Sequence, residues 1–444
     1  AADSRCEKIR LDAFETCERT VPRLERVLSV CSEVLEKRGK QFSYRVHKED
    51  FLFSSADALS NSLFEPGLAG PYDAVISNPP YGKLPKDDPR VRALSNIVSG
   101  RTNLYALFMA VSAEQLADGG RLIFIVPRSF ASGAYFRRFR KQFFGTVTPE
   151  IVHLIDSRKD AFSGQDVLQE NLILGARKKR PVGSCQVQIR SSEGTEDIWE
   201  HRTHKVRLAR VIDVNAGHTL RLPTCAADDK IEQIVSSWEW NLERLGLRAS
   251  TGPAVAFRTR EYHRRDDDRA HVPFLWLHNV GPMLIKWPKP KKRKPQYFAV
   301  SKTNERLLVD QKNMVLLRRF SAKEQPRRLT AAPLLDDTLP GTAMALENHL
   351  NYIVPKSDVL KPVSAIGLAA LLNSSLLDAY FRISSGNTQV SATELGRLPM
   401  PPPEILEDIG ESFRKSEDSG MGAIETAVAT ALNLNRLLLE GIRS

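Results

Sequence analysis

The sequence predicts an α/β fold: a mostly parallel sheet in the first part of the chain, followed by a mixed α+β region. Three observations carry this. Short runs of strand character alternate with helical periodicity from Ile9 to Gly175, the pattern of parallel sheets with crossover helices. The apolar run Ala74-Val75-Ile76 meets Asn78-Pro79-Pro80-Tyr81, where two prolines remove two donors and end the strand. Composition then shifts at Arg177-Lys178-Lys179-Arg180-Pro181, beyond which Arg, Lys, Pro and Trp interrupt any regular alternation.

Each element follows from its pattern. Ile9 to Ala13 alternates as a strand, with Glu15 at its end. Residues 18–38 space Val21, Leu24, Val27, Leu28, Cys31, Val34 and Leu35 as a helix, with Pro22 in the first turn and Gly39 closing it. Phe42 to Val46 alternates again. Residues 52–70 read as a loop or short helix. Ala74 to Ile76 reads as a buried strand, and 83–100 as a mobile loop over a site. Asn103 to Ala117 is a helix stopped by Asp118-Gly119-Gly120. Arg121 to Val126 is a central strand stopped by Pro127. Tyr135–Phe144 is a basic helix, Ile151–Ile155 a strand, and Val167–Gly175 the last strand of the sheet. Downstream, Ile366–Tyr380 reads as one amphipathic helix, Leu398-Pro399-Met400-Pro401-Pro402-Pro403 as a stiff extended segment, and Pro403–Leu439 as a final helix.

The bulk properties narrow the function. With 444 residues, two or three domains are expected. A net charge of +11 favours a polyanionic partner, nucleic acid first. The five cysteines are scattered without C-x-x-C spacing, so neither a zinc site nor a disulfide framework is expected. No apolar run reaches the ~18 residues of a membrane span.

Asn78-Pro79-Pro80-Tyr81 carries the chemistry. It forms a stiff loop at the carboxyl end of a strand, where open α/β sheets bind ligands. An exocyclic aromatic amine is a poor nucleophile because its lone pair is delocalised. Two acceptors aimed at its hydrogens, the Asn78 side-chain oxygen and the Pro79 carbonyl, draw the nitrogen towards tetrahedral geometry. Tyr81 offers a stacking face worth roughly 1–3 kcal/mol. With a sulfonium methyl as electrophile no strong base is needed, and positioning supplies most of the rate. The same four residues also suit a plain Pro-Pro turn capping a strand.

Ser77-Asn78-Pro79-Pro80-Tyr81-Gly82 resembles the catalytic motif of S-adenosylmethionine-dependent N6-adenine DNA methyltransferases, of the gamma order common in bacterial restriction–modification systems. The resemblance implies a Rossmann-like methyltransferase sheet over residues 1–180 and a DNA target-recognition domain with C-terminal helices over 181–444. It implies catalytic Asn78, Pro79, Pro80 and Tyr81, with Asn78 also beside the cofactor. Asp50 and Phe51 resemble the pair that holds the cofactor adenine. Glu15 resembles the ribose-binding carboxylate, with Asp12 as an alternative. Gly119-Gly120-Arg121 to Pro127-Arg128-Ser129-Phe130 is similar to a recurring family segment. Phe162 resembles the aromatic residue stacking on the far face of a base flipped out of duplex DNA. S-adenosylmethionine is the implied cofactor, with no metal; the implied setting is the bacterial cytoplasm, with a cognate endonuclease acting on the same DNA site. The family's glycine-rich loop, expected upstream of Ile9, is not in the sequence, so half of a cofactor site and a missing native N-terminus are expected.

Phosphate contacts are expected from Lys286, Lys289, Lys291, Lys292, Arg293 and Lys294, six basic residues in nine; Arg318, Arg319, Arg327 and Arg328 suit bidentate readout of guanine as a cluster, while each one separately reads as a phosphate contact or a surface charge. Asn387 and Gln389 suit adenine edges, although a polar turn explains either one better. His47, His153, His278 and His349 read as structural. Arg318-Arg319-Phe320-Ser321, Glu347-Asn348-His349 and Leu371-Leu372-Asn373-Ser374 resemble recurring segments of restriction–modification methylases. Two rival functions remain: an RNA or protein-amide methyltransferase, and a non-catalytic DNA-binding module.

Overall fold

The structure is a computed structural model that describes residues 6–59, 70–85, 87–95, 103–155, 170–179, 184–194, 196–268, 270–289, 294–321, 325–357, 359–385 and 389–434. The chain divides into two compact units, one of residues 1–130, 135–154 and 171–187, the other of 131–134, 155–170 and 188–444.

The first unit follows the expected alternation. β1 (Lys8–Phe14) leads to α1 (Val21–Glu36), with Pro22 in its first turn, and then to β2 (Gln41–His47), which pairs parallel with β1 from Lys8↔Gln41 to Phe14↔His47. α2 (Phe51–Leu59) starts where Asp50 accepts the Leu52 N–H at 2.8 Å, a side-chain cap. β3 (Tyr72–Ser77) carries the Pro-Pro loop. Beyond it, the expected loop over 83–100 contains a short α3 (Pro89–Ala93), started by Asp88 capping Arg90 and by Pro at the first helical position. α4 (Leu104–Glu114) is apolar on nearly every face and largely buried. β4 (Leu116–Pro127), α5 (Arg137–Thr146), β5 (Val147–Ile155) and β6 (Asn171–Lys178) complete the unit.

β3 pairs parallel with β4, while β6 runs antiparallel between β4 and β5. The sheet is therefore mixed at this end. β4 begins before Gly119-Gly120 rather than after, and its register against β3 slips between Tyr72 and Ala74. Gly119 has φ +78°, and a Cβ on Gly120 would lie 2.9 Å from the Tyr72 and Ala117 carbonyls, so only glycine fits this bulge.

One expectation fails here. β3 is not buried. Ile76 is 80% exposed and its cross-strand partner Ile123 is 45% exposed. Alternation explains the pair: Leu122, Phe124 and Val126 point to the other face and are fully buried. β1–β2 and β3–β4 also belong to separate sheets.

In the second unit, strands Leu247–Thr251, Leu350–Pro355, Met314–Arg318 and Ala331–Leu334 form an antiparallel sheet in that spatial order. Met314 and Leu316 pack with Leu275, Met344 and Leu346 of a second, mixed sheet, whereas Val315 and Leu317 join the helical core, a period-2 division of one strand. The expected helix over Ile366–Tyr380 is two helices, Pro362–Asn373 and Ser375–Ser384, bent by 58° at Ser374. Fully buried Asn373 accepts from Ala331 N at 3.0 Å and donates to Ala331 O at 2.7 Å, satisfying a strand edge as a neighbouring strand would. The expected last helix is also two, Pro403–Lys415 and Met421–Ala431. Among the described residues no single helix is long and apolar enough to cross a membrane.

Candidate active site

β3 delivers Ser77 into Asn78-Pro79-Pro80-Tyr81. Asn78 is exposed, Pro79 buried and Tyr81 half-buried. The loop is tied on its far side: Leu104 N donates to Gly82 O at 2.8 Å, and Lys83 bridges Asn103. The start of α4 thereby fixes where the loop returns. The Tyr81 hydroxyl lies 3.2 Å from the Ile125 carbonyl of β4 and 3.5 Å from Asn78 Oδ1. Burial pushes its phenol up to about 12, so it is a neutral donor at any physiological pH.

Tyr105 on α4 meets the Tyr81 ring edge-on, with centroids 6.0 Å apart at 78°. Tyr105 is buried, its hydroxyl is 3.1 Å from Ser129 Oγ, and its ring lies 5.7 Å from Phe136. One turn along the same helix, Phe108 stacks on Phe51 at 5.4 Å and 29°. Residues at i and i+3 share a helix face, so α4 presents one aromatic to the Pro-Pro loop and the other to the Asp50-Phe51 turn. Neither Tyr105 nor Phe108 was singled out from the sequence. The available signal was two aromatics three apart in an otherwise aliphatic helix.

The carboxylates sort themselves by geometry. Asp12 is engaged: its side chain is 4% exposed and its Oδ1 lies 2.9 Å from His47 Nε2. Glu15 stands just past the carboxyl end of β1, tied by Glu15 N to His47 O at 3.0 Å and accepting from Cys17 N at 2.7 Å. Asp50 caps α2 through Oδ1 and keeps Oδ2 3.9 Å from an Arg90 nitrogen. Arg90 itself is held by Asp88, at 2.8 Å. Phe51 is flanked by Phe14 edge-on at 5.3 Å and stays half-exposed. Glu15, Asp50-Phe51, Asn78 to Tyr81 and Arg128-Ser129 thus each follow the carboxyl end of β1, β2, β3 or β4.

That arrangement gathers carboxylates, aromatic rings and an exposed amide at the carboxyl ends of strands. The family description "Eco57I restriction-modification methylase" matches residues 9–162. The type II methyltransferase M.PstI of Providencia stuartii is 32% identical over 404 residues, covering 91% of this chain and 78% of that protein. The chain belongs to the Eco57I restriction-modification methylase family. M.BsuBI of Bacillus subtilis, another type II methyltransferase of that kind, is 31% identical over 91% of this chain and 79% of its own length. Among solved structures, the type IIL restriction-modification enzyme MmeI in complex with DNA matches with a TM-score of 0.48 and 11% identity, over 83% of this chain. The chain spans 53% of that structure and 56% of the type IIG restriction endonuclease BpuSI.

The nucleoside half of the methyl donor fits the residues present. Among the described residues one Glu15 carboxylate oxygen accepts from Cys17 N and the other makes no hydrogen bond, and the Asp50-Phe51 turn offers a carboxylate beside a half-exposed ring. Phe162 lies outside the described residues.

The expected DNA contacts divide. Lys286 and Lys294 are exposed. Lys294 Nζ sits 4.0 Å over the Trp276 ring, and Lys289 donates to the His278 carbonyl at 3.1 Å. Lys291, Lys292 and Arg293 lie outside the described residues, as does Asn387. The arginines need correction as phosphate contacts. Arg328 is buried, 1% exposed, with its guanidinium over the Phe381 ring. Arg327 pairs with Glu425 and Ser375, both at 2.9 Å. Arg318 donates to Val280 O at 2.6 Å, and burial holds its guanidinium below the ordinary range. Arg319 spans the Asn348 carbonyl and Gln389 Oε1, at 2.9 and 3.2 Å. Charge counting along the sequence cannot separate such internal cations from surface ones, because both read as Arg-rich.

Proposed function

We propose that the protein is a site-specific DNA methyltransferase that transfers a methyl group from S-adenosylmethionine to the N6 amine of adenine, within a restriction–modification system. The observation that carries this reading is the Asn78-Pro79-Pro80-Tyr81 loop, with Asn78 exposed at the carboxyl end of β3 and Tyr81 held between Ile125 and Tyr105.

In this reading Asn78 Oδ1 and the Pro79 carbonyl accept the two amine hydrogens, and the buried Pro79 ring keeps its carbonyl pointed. Tyr81 supplies a stacking face, and Phe162 the opposite one. Glu15, Asp50 and Phe51 hold the ribose and adenine of the methyl donor, which supplies an electrophilic sulfonium methyl. An adenine inside a duplex cannot reach Asn78, so it is flipped out at a cost of a few kcal/mol, offset by two stacking contacts of roughly 1–3 kcal/mol each. Exposed Lys286 and Lys294 serve the DNA backbone. A cognate endonuclease shares the site, in the bacterial cytoplasm.

The test is transfer of labelled methyl from S-adenosylmethionine to DNA. Asn78→Ala is expected to lower the rate by about 10²-fold or more, the order seen when one preorganised polar group is lost. Unchanged transfer sinks the reading. A second reading, DNA binding without catalysis, is favoured by one observation: β1–β2 and β3–β4 lie in separate sheets, so the strand-end sites are not joined by pairing. Calorimetry separates the two. Heat on adding S-adenosylmethionine supports the enzyme, and DNA binding without it supports the module.

A further inference from the structure

A second polar site lies in the second unit, away from the Pro-Pro loop in sequence. Glu347 is buried, 1% exposed. Its carboxylate serves the residue two places on: His349 Nδ1 lies 2.7 Å from Oε1 and 2.9 Å from Oε2, and His349 N donates to Oε2 at 3.0 Å. The imidazole itself is 46% exposed. A buried carboxylate is costly unless it is paired and hydrogen-bonded, and here the pairing holds a surface ring in one orientation. Holding Nδ1–H leaves Nε2 as the outward nitrogen.

The surroundings are stiff. Arg319 N donates to His349 O, and Val390 N to Arg319 O, both at 2.8 Å. Phe320 bridges Gln389 in the backbone and meets the imidazole edge-on at 4.6 Å. The groups facing His349 are therefore Glu347 from its own turn, Arg319 and Phe320 from the strand end, and Gln389 from the third segment. The Arg319 guanidinium is clamped by Asn348 O and Gln389 Oε1, so its charge is fixed at the carbonyl of the residue before His349.

We propose that His349 is a DNA-backbone contact, with Nε2–H donating to a phosphodiester oxygen while Glu347 holds the imidazolium and Arg319 adds a fixed positive charge. Glu347 is a positioning residue. The inference rests on the reading of the protein as DNA-binding and names a contact within it.

The test is fluorescence anisotropy of a labelled DNA duplex against the whole chain over a range of salt. His349→Gln is expected to weaken binding about 3- to 10-fold and to reduce the slope of log affinity against log salt by about 0.9, one phosphate's share. His349→Arg, which restores a cationic donor, recovers both. Glu347→Gln gives an intermediate loss, at an unfolding midpoint that calorimetry compares with wild type. If His349→Gln binds with unchanged affinity and slope, the proposal is wrong. If it loses affinity for some sequences alone with the slope intact, His349 reads a base, and the phosphate contact is overturned. If wild type binds no duplex, the DNA-binding reading fails first. If His349→Gln does not fold, failure of His349→Arg to match the wild-type slope overturns the contact.

Discussion

The Tyr81 hydroxyl joins the Pro-Pro loop to β4, and its ionisation reports on that contact. Burial raises its pKa from 10.0 to about 12. A raised folded pKa contributes stability that is fully present below the unfolded value and is lost as pH climbs through the folded one. The contribution therefore persists up to pH 10 and disappears between about 10 and about 12. In an alkaline absorbance titration, Tyr81→Phe should remove a phenol that ionises near pH 12. If the missing phenol ionises at 10, the hydroxyl is open to water and does not bridge Asn78 and Ile125. The Arg327–Glu425 pair makes the opposite kind of claim about a residue first read as a DNA contact. Arg327→Ala removes the cation 2.9 Å from a buried Glu425 carboxylate that also accepts from Ser375, at a cost of about 3–5 kcal/mol. Urea unfolding should record that loss. A stable variant with weakened DNA binding would restore Arg327 to the interface.

At the scale of elements, close approach decides where side chains can be tolerated. The helices Pro362–Asn373 and Pro403–Lys415 meet through Gly367 and Gly410, where an added Cβ would collide with the Leu406 and Val363 carbonyls respectively. Backbone cannot yield as a flexible side chain can, so Gly367→Ala is expected to destabilise by about 2–3 kcal/mol despite its better helix propensity. A midpoint shift below about 0.5 kcal/mol would mean that the helices stand further apart. The same elements show what was legible in the sequence. Strand ends at Pro127 and after Ser77 were readable because proline removes a donor, and α1 because its apolar spacing is helical. The break at Ser374 was not, because Leu371, Leu372, Leu376 and Leu377 keep the apolar pattern going across it and the bend is set by the Ser374 cap on Leu377 and by tertiary packing; the break before Met421 was signalled by the polar run Arg414 to Gly420, which the reading of one final helix overran. Asn78 to Tyr81, Glu15 and Asp50 were visible as residues at strand ends. Tyr105 and Phe108 were not, because their role depends on which strand ends α4 lies against. The Arg327 and Arg328 misreading has the same cause: burial is a property of the fold.

For the whole molecule, the informative feature is an uncovered apolar face within the first unit. Parallel pairing, as between β3 and β4, is found almost only where both faces are covered, whereas antiparallel strands can face water on one side. Here the Leu122, Phe124 and Val126 face is buried, while the facing pair Ile76 and Ile123 is 80% and 45% exposed, and Val27, Val30 and Val34 form an exposed stripe on α1. These residues have the apolar identity of a core and the exposure of a surface, which explains why sequence patterning placed β3 inside. The two conditions predict different responses to one substitution. If the face is open in solution, Ile76→Lys changes stability by less than about 0.5 kcal/mol, as surface changes do, and raises the concentration at which the chain stays monomeric, because it breaks an apolar patch. If another segment or a second copy covers it, inserting an unpaired ammonium costs several kcal/mol. Chemical unfolding of Ile76→Lys beside wild type, with sedimentation at rising concentration, distinguishes these. The exposures recorded predict the small change, and a loss of 2 kcal/mol or more would show that β3 lies inside a larger assembly than the described residues form.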